Sequence, residues 1–409
     1  MDSKITESQV KRALLASMTS LYFNGVIFST WGVKIPIVKD KFYLSDNTLS
    51  LLLAAVAIGG IVALSAASKI ITRTGSRTGA TLSGIVMAIC ASFILVVPQF
   101  PQLLILMILF GVFAAVNDIT VNTQVALLER STGRSLIGAL HASFSAGGLT
   151  GALLASNWTI TGLAEVINFY SISVAGIVAL VISSKYMISL KVENLSDENN
   201  RSLIFEKKTS AKTIAKKRLI VIGSLAFAAL VIEGAFYDWS AIYMRDVIKA
   251  PENWVGYGYA AFSIGLVVGR LSGDWLRERF AHQSIIIMGW MIASTGIAIA
   301  LFISTPTPAV LGFLLTGIGI SNILPLLFST SAKLATNSGM LASEGLAVTT
   351  RIAYVGLLAG PLIIGPVAKV IGLRNSMLTL GLALALACAG WLFLSRRTKG
   401  LPWVVKGNE

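Results

Sequence analysis

Asp118 and Asn122 stand one helical turn apart in the apolar segment LILMILFGVFAAVNDITVNTQVALLE, and Glu129 follows eleven residues after the aspartate. Eleven residues turn a helix by about 1100°, so Glu129 falls within about 20° of the stripe that carries Asp118. Burial penalises the charged form of a carboxylate, so Asp118 is placed to take up and release protons. Glu233, in the run EGAFYDW, is a second candidate for proton coupling. Glu233 and Tyr237 share a face and make a hydrogen-bonding wall. Asp238 and Trp239 lie nearer the membrane surface, where a Trp usually anchors the interface. His141 is the third titratable candidate, because its charge changes close to neutral pH.

Further polar residues in apolar runs are candidates for binding a solute: Asn24, Trp31, Asn322 and Tyr354, together with Asn122, Tyr237, Asp238 and Trp239. Arg73, Arg77, Arg270, Asp274, Glu278 and Arg279 gather at two inner helix ends, with Glu129 and Arg130 at a third, and read as gating charges. Arg270 and Asp274 are four apart and can pair along a helix. Lys34 is expected to snorkel outward. Cys90 and Cys388 both lie in apolar runs, so neither a disulfide nor a metal cluster is indicated, and no cofactor is expected.

The elements that must position these residues follow from composition. The 409 residues are 55% hydrophobic and 13% charged, with a mean hydropathy of +0.78. A soluble chain carries roughly twice that charge. Apolar runs fall at about 13 to 36, 47 to 68, 79 to 97, 102 to 126, 136 to 155, 166 to 188, 219 to 243, 255 to 276, 283 to 304, 308 to 331, 346 to 368 and 375 to 395. Each suits a helix that crosses a bilayer, which takes about 20 residues. Twelve spans put both termini on one side. If that side is the cytoplasm, inside segments hold 24 of the 33 Lys and Arg, and outside segments hold Lys34, Lys39, Lys41, Arg245, Lys249, Lys369 and Arg374. That asymmetry obeys the positive-inside rule, so the net charge of +14 is an orientation signal, not a nucleic-acid surface. The apolar stretch continues through Trp31 to Pro36 without a cleavage site, so the first span is expected to be retained.

Residues 189 to 218 divide the chain into bundles of six spans, 1 to 188 and 219 to 409, joined by a cytoplasmic connector rich in lysine. An offset of 206 residues aligns Ala54 to Arg73 with Ala260 to Arg279, pairing Gly59 with Gly265, and brings Gly111 to Gly317. At an offset of 209, Asn24 meets Glu233. Two six-helix halves repeated in parallel form one of the recurring carrier plans, with the solute cavity near midplane. The spacing of Ser143, Gly147, Gly151 and Ala155 suits close helix packing.

The chain resembles the major facilitator superfamily, and within it the MosC/YbjJ-like branch of bacterial inner-membrane carriers. The resemblance rests on WGVKIPIVKD at Trp31 to Asp40, DITVN at Asp118 to Asn122, HASFSAG at His141 to Gly147, EGAFYDW at Glu233 to Trp239, GRLSGDW at Gly269 to Trp275 and GPLIIG at Gly360 to Gly365. It implies an all-α membrane protein of twelve transmembrane helices that moves a solute by alternating access. DITVN is also similar to the fucose/proton symporter group, which implies a proton-coupling role for Asp118. Two departures count: Thr72 stands where the superfamily usually has an Asp, and span five lacks the Gly-Pro signature of drug/proton antiporters. The expectation is a monomeric, proton-coupled uptake symporter of a small polar, sugar-like solute in the bacterial inner membrane, with export of a metabolite or toxic compound as the alternative. Enzymatic chemistry is not expected, because nothing here assembles a nucleophile and base.

Overall fold

Backbone polar groups in hydrocarbon must be satisfied within their own segment, which leaves long apolar runs little choice but helix. The computed structural model describes residues 6–134, 136–189, 209–340 and 342–397; side chains at 64–72, 130, 209–214, 274, 342–343, 387–388 and 391–397 lie outside that description. Among the described residues the regular elements are all helical, as expected: α1 (Glu7–Lys41), α2 (Asp46–Phe93), α3 (Phe100–Thr132), α4 (Ile137–Trp158), α5 (Glu165–Ser184), α6 (Thr209–Ile242), α7 (Tyr257–Leu271), α8 (Gly273–Arg279), α9 (His282–Phe302), α10 (Pro306–Ile320), α11 (Ile323–Asn337), α12 (Ala342–Ile371) and α13 (Leu373–Arg397).

Nine spans among the described residues are long and apolar enough to cross a membrane. The other three expected spans correspond to the second part of α2, the broken pair α7 and α8, and α13. Most of the connector, including Lys207 and Lys208, lies outside the described residues. Lipid-facing surfaces are evident where α5 exposes Val174, Val178, Val181 and Ile182 while burying Ile172, Ser173, Gly176 and Leu180.

Local chemistry explains where the helices depart from the expected spans. The turn expected between spans two and three contracts to Gly75, whose φ of 77° interrupts α2 in a region that suits glycine. Expected span ten breaks at Ser321 and Asn322. Pro325 has no N–H to offer the Ser321 carbonyl, yet it is tolerated in the first turn of the new helix. Expected span eight breaks at Ser272, between α7 and α8.

The chain forms two compact units, Met1–Leu203 with Val255–Ala260, and Ile204–Trp254 with Ala261–Glu409. In the first, α2 crosses α3 with Gly59 on the Ile108 carbonyl and Gly111 on the Val56 carbonyl. In the second, α7 crosses α10 with Gly265 on the Leu314 carbonyl and Gly317 on the Phe262 carbonyl. All four positions recur 206 residues on, so the offset visible in the sequence reappears as one backbone crossing built twice. The glycines of α4 serve the same purpose: Gly147 and Gly151 rest on the Tyr22 and Val26 carbonyls of α1, and their mates 209 residues on, Gly356 and Gly360, approach α6.

Candidate functional site

In the first unit, the one-turn spacing brings Asn122 onto Asp118. The Asn122 amide donates to Asp118 Oδ1 at 3.0 Å and to the Asp118 carbonyl at 2.8 Å. Both residues are half-buried. Among the described residues Asn122 is the only side chain that bonds the Asp118 carboxylate, and no cation pairs with it. His141, half-buried on α4, is not among its partners.

Asn24, expected to face the solute, turns instead into the helix packing. Its amide donates to the Ala114 carbonyl at 3.2 Å and to Asn117 Oδ1 at 3.0 Å. Asn117 in turn donates to Ser20 Oγ at 3.0 Å and to the Ala80 carbonyl at 2.8 Å, joining α1, α2 and α3 in one buried network. Each member is satisfied, which is the condition under which a buried polar network stabilises its surroundings. Trp31 is likewise fully buried. Glu129, expected as a gating charge, is engaged locally. Its carboxylate accepts the backbone N–H groups of Leu136 and Ile137 and caps the start of α4. Arg73 is exposed and Arg77 partly so, while the side chain of Arg130 lies outside the described residues.

Lys34 overturns the expectation of snorkelling. It is 2% exposed, and its Nζ lies 2.7 Å from Glu165 Oε2, in the first turn of α5. An apolar neighbour would have sent the ammonium outward; a carboxylate within reach holds it inside. The mates of this pair 209 residues on, Tyr243 and Arg374, lie within electrostatic reach of each other. Sequence reasoning missed Asn117, Gln124 and Glu165. Gln124 is fully buried and clamps Ser76 at 2.7 Å and both backbone groups of Ile188. Asn117 and Gln124 carried a usable signal as amides inside an apolar span, but Glu165 sits at a helix start, where an acid is unremarked.

In the second unit Glu233 pairs with Arg270, whose Nη2 lies 3.2 Å from Glu233 Oε1. Arg270 was expected to pair with Asp274 as a gate. The helix is interrupted at Ser272 between them, and the Asp274 side chain lies outside the described residues. Tyr237, one turn beyond Glu233, stands within electrostatic reach of both charges and beside the Ser263 hydroxyl of α7. Its ring packs edge-on to Phe262 at 5.2 Å, and Phe236 stacks on the same ring. Glu233, Tyr237, Arg270 and Ser263 thus come together between α6 and α7.

Trp239 is fully buried, which overturns its reading as an interface anchor. Asp238 is partly buried, and among the described residues no hydrogen bond or ion pair reaches it. Asn322, another expected solute ligand, donates to the Gly269 carbonyl at 2.6 Å and pins the break of one span to α7. Tyr354 is half-buried on α12. Glu278 and Arg279 are exposed, and Arg279 lies over the Trp275 ring at 4.4 Å. Among the described residues no group of three or more His, Cys, Asp or Glu is placed to hold a metal ion.

Comparison with known proteins agrees with this architecture. The Major Facilitator Superfamily model matches residues 13–348. An uncharacterised MFS-type transporter of Yersinia pestis is 27% identical over 372 residues, covering 90% of this chain and 93% of that protein. Membrane protein MosC of Rhizobium meliloti is 27% identical over 393 residues, covering 96% and 92%. Among solved structures, a bacterial homologue of the human lysosomal transporter Spinster, inward-facing and unoccupied, superposes with a TM-score of 0.70 at 15% identity, covering 96% of this chain and 98% of that one. A point mutant of the nucleoside transporter NupG gives 0.72 at 10% identity, covering 94% and 99%. At these identities the two structures speak for the fold alone. Matched over most of its length and built wholly of helices that suit a bilayer, this chain belongs to the Major Facilitator Superfamily of multi-pass membrane transporters, proteins that move small molecules and are not enzymes.

Proposed function

We propose that the chain is a proton-coupled secondary carrier that takes up a small polar solute across the bacterial inner membrane by alternating access. It works as a monomer with both termini in the cytoplasm, and its bundles are residues 1–188 and 219–409, joined by a cytoplasmic connector at 189–218. Asp118 is the observation that carries this reading. A carboxylate within an apolar span costs about 3 kcal/mol on insertion scales, and such groups mark ion pathways when no local partner explains them. Asp118 has a neutral amide for a partner and, among the described residues, no cation. A proton is the simplest charge to match it. Asn122 holds the carboxylate in one orientation, and Glu233, paired with Arg270, is a second titratable group within electrostatic reach of Tyr237. The absence of Gly-Pro from span five counts against drug export.

The test is solute accumulation in reconstituted vesicles with and without an imposed proton gradient. The panel holds sugars, polyols, amino acids and organic acids, with nucleosides added because the fold is shared with a nucleoside transporter. Wild type should concentrate its solute when the outside is acidic. Asp118→Asn should abolish gradient-driven accumulation while exchange at equal pH persists. Accumulation that survives Asp118→Asn would remove the proton-coupling role, and efflux driven by the same gradient would replace uptake with export.

A further inference from the structure

At one end of the first unit the chain covers its own helix ends. Gln124 bonds Ser76 Oγ and both backbone groups of Ile188, and Leu127 joins Ile188 in one apolar cluster. All four residues are buried. The offset of 206 residues carries Gly75, where α2 breaks, to Ala281, the cap of α9, and carries Ser76, Gln124 and Leu127 to His282, Thr330 and Lys333. Thr330 bonds back to the Leu326 carbonyl of its own helix at 2.7 Å. His282 is half-buried at the start of α9, Lys333 is exposed on α11, and the two lie within electrostatic reach of each other and of Arg277 on α8. The first unit builds the corresponding corner from a serine, an amide and a leucine, so packing does not require an imidazole and an ammonium here.

The surroundings give these groups a positive potential. The charges that act on His282 are those of Lys333 and Arg277, both cations. Neither α9 nor α11 carries an Asp or Glu; α8 carries Glu278 and Asp274, and the side chain of Asp274 lies outside the described residues. Among the described residues no carboxylate pairs with Lys333, His282 or Arg279. Arg277 is engaged beside Gly273 and supplies charge, not a free donor. The neighbouring surface is apolar: Leu271 is 69% exposed, Trp275 51% and Phe280 37%. The rings of Trp275 and Phe280 are 6.3 Å apart, and Arg279 lies over the Trp275 ring at 4.4 Å. An exposed Trp beside cations at the end of membrane-crossing helices marks the level of the lipid headgroups.

We propose that His282 and Lys333 form a binding site for the phosphate of an anionic phospholipid, with Trp275 and Phe280 against its glycerol and upper acyl chain. The Lys333 ammonium pairs with a phosphate oxygen, and the His282 ring offers an N–H donor whether or not it is protonated. Basic pockets between transmembrane helices hold such headgroups. A soluble phosphate presents the same oxygens but leaves the exposed aromatic rings without an apolar partner, so the occupant is the lipid. This goes beyond the carrier reading: it depends on the chain lying in a bilayer, not on proton coupling, the solute or the compartment this end faces.

Lipid binding to the purified full-length protein tests the site. In neutral detergent the protein is offered phosphatidylglycerol and phosphatidylcholine of the same acyl chains in equal amounts, and bound lipid is counted by native mass spectrometry. Wild type should prefer phosphatidylglycerol. Lys333→Gln should lower that preference about fivefold, the effect of one basic residue near an anionic membrane surface. Lys333→Arg should keep it, and His282→Ala should weaken it. Lys249→Gln, which removes a lysine from the far end of α6 and α7, should change nothing. Inorganic phosphate and glycerol 3-phosphate in excess should leave the bound lipid in place. Equal retention of the two lipids by wild type would overturn the proposal, as would an unaltered preference in Lys333→Gln or an equal loss in Lys249→Gln. Displacement by either soluble phosphate would overturn the assignment to lipid and make the ligand a free phosphate.

Discussion

The twice-built glycine crossing offers a sharp test, because Gly59 and Gly60 are neighbours with opposite surroundings. A Cβ on Gly59 would lie inside the van der Waals envelope of the Ile108 carbonyl oxygen and 2.8 Å from the Val112 nitrogen. Both are backbone atoms of α3, so no side chain can rotate away. To restore ordinary contact α2 and α3 must part by roughly 1 Å, and overpacking of that kind costs about 1–3 kcal/mol. Alanine is a better helix former than glycine by up to about 1 kcal/mol, which offsets part of the cost. Gly59→Ala should therefore destabilise the protein by about 1–2 kcal/mol. At Gly60 the nearest atom to an added Cβ is Ala115 Cβ at 3.9 Å, an ordinary contact. Gly60→Ala should be neutral or stabilising. Gly265, whose added Cβ would meet the Leu314 carbonyl and lie 2.8 Å from the Ile318 nitrogen, should behave as Gly59 does. Thermal unfolding of the four proteins in one detergent reads the result. Equal shifts for Gly59→Ala and Gly60→Ala, or an unharmed Gly265→Ala, would refute the repeated crossing as the contact that sets helix separation.

Lys34→Met should destabilise by about 2–3 kcal/mol in the same assay, because it strands the Glu165 carboxylate; the value falls at the low end for a broken buried pair since Glu165 is 22% exposed. Adding Glu165→Gln should restore most of that loss. A single substitution as harmless as the double one would show that the pair is not closed to water. Glu129→Ala removes the acceptor for two backbone N–H groups at the start of α4 and should cost about 1 kcal/mol, with faster hydrogen exchange at Leu136 and Ile137. Unchanged exchange there would return Glu129 to the candidate gates.

Much of the architecture was legible in the sequence because a bilayer leaves few options. Long apolar runs must be helices, and the offset of 206 residues shows as recurring glycines because only glycine permits backbone to touch backbone at the crossing. The Asp118 and Asn122 contact was legible too, since one helical turn brings them together whatever surrounds them. Where a polar side chain turned depended on residues far away in the chain. Arg270 finds Glu233 across 37 residues of sequence, and Asn24 finds Asn117 across 93. Lys34 stays inside because α5 carries Glu165 to it. Periodicity assigns such residues to a helix and to a depth, whereas the partner that decides between lipid surface, packing network and solute site comes from another helix. Helix formation is local and could be read along the chain, but the pairing of buried charges is a property of the packed bundle, and only the tertiary structure decided it.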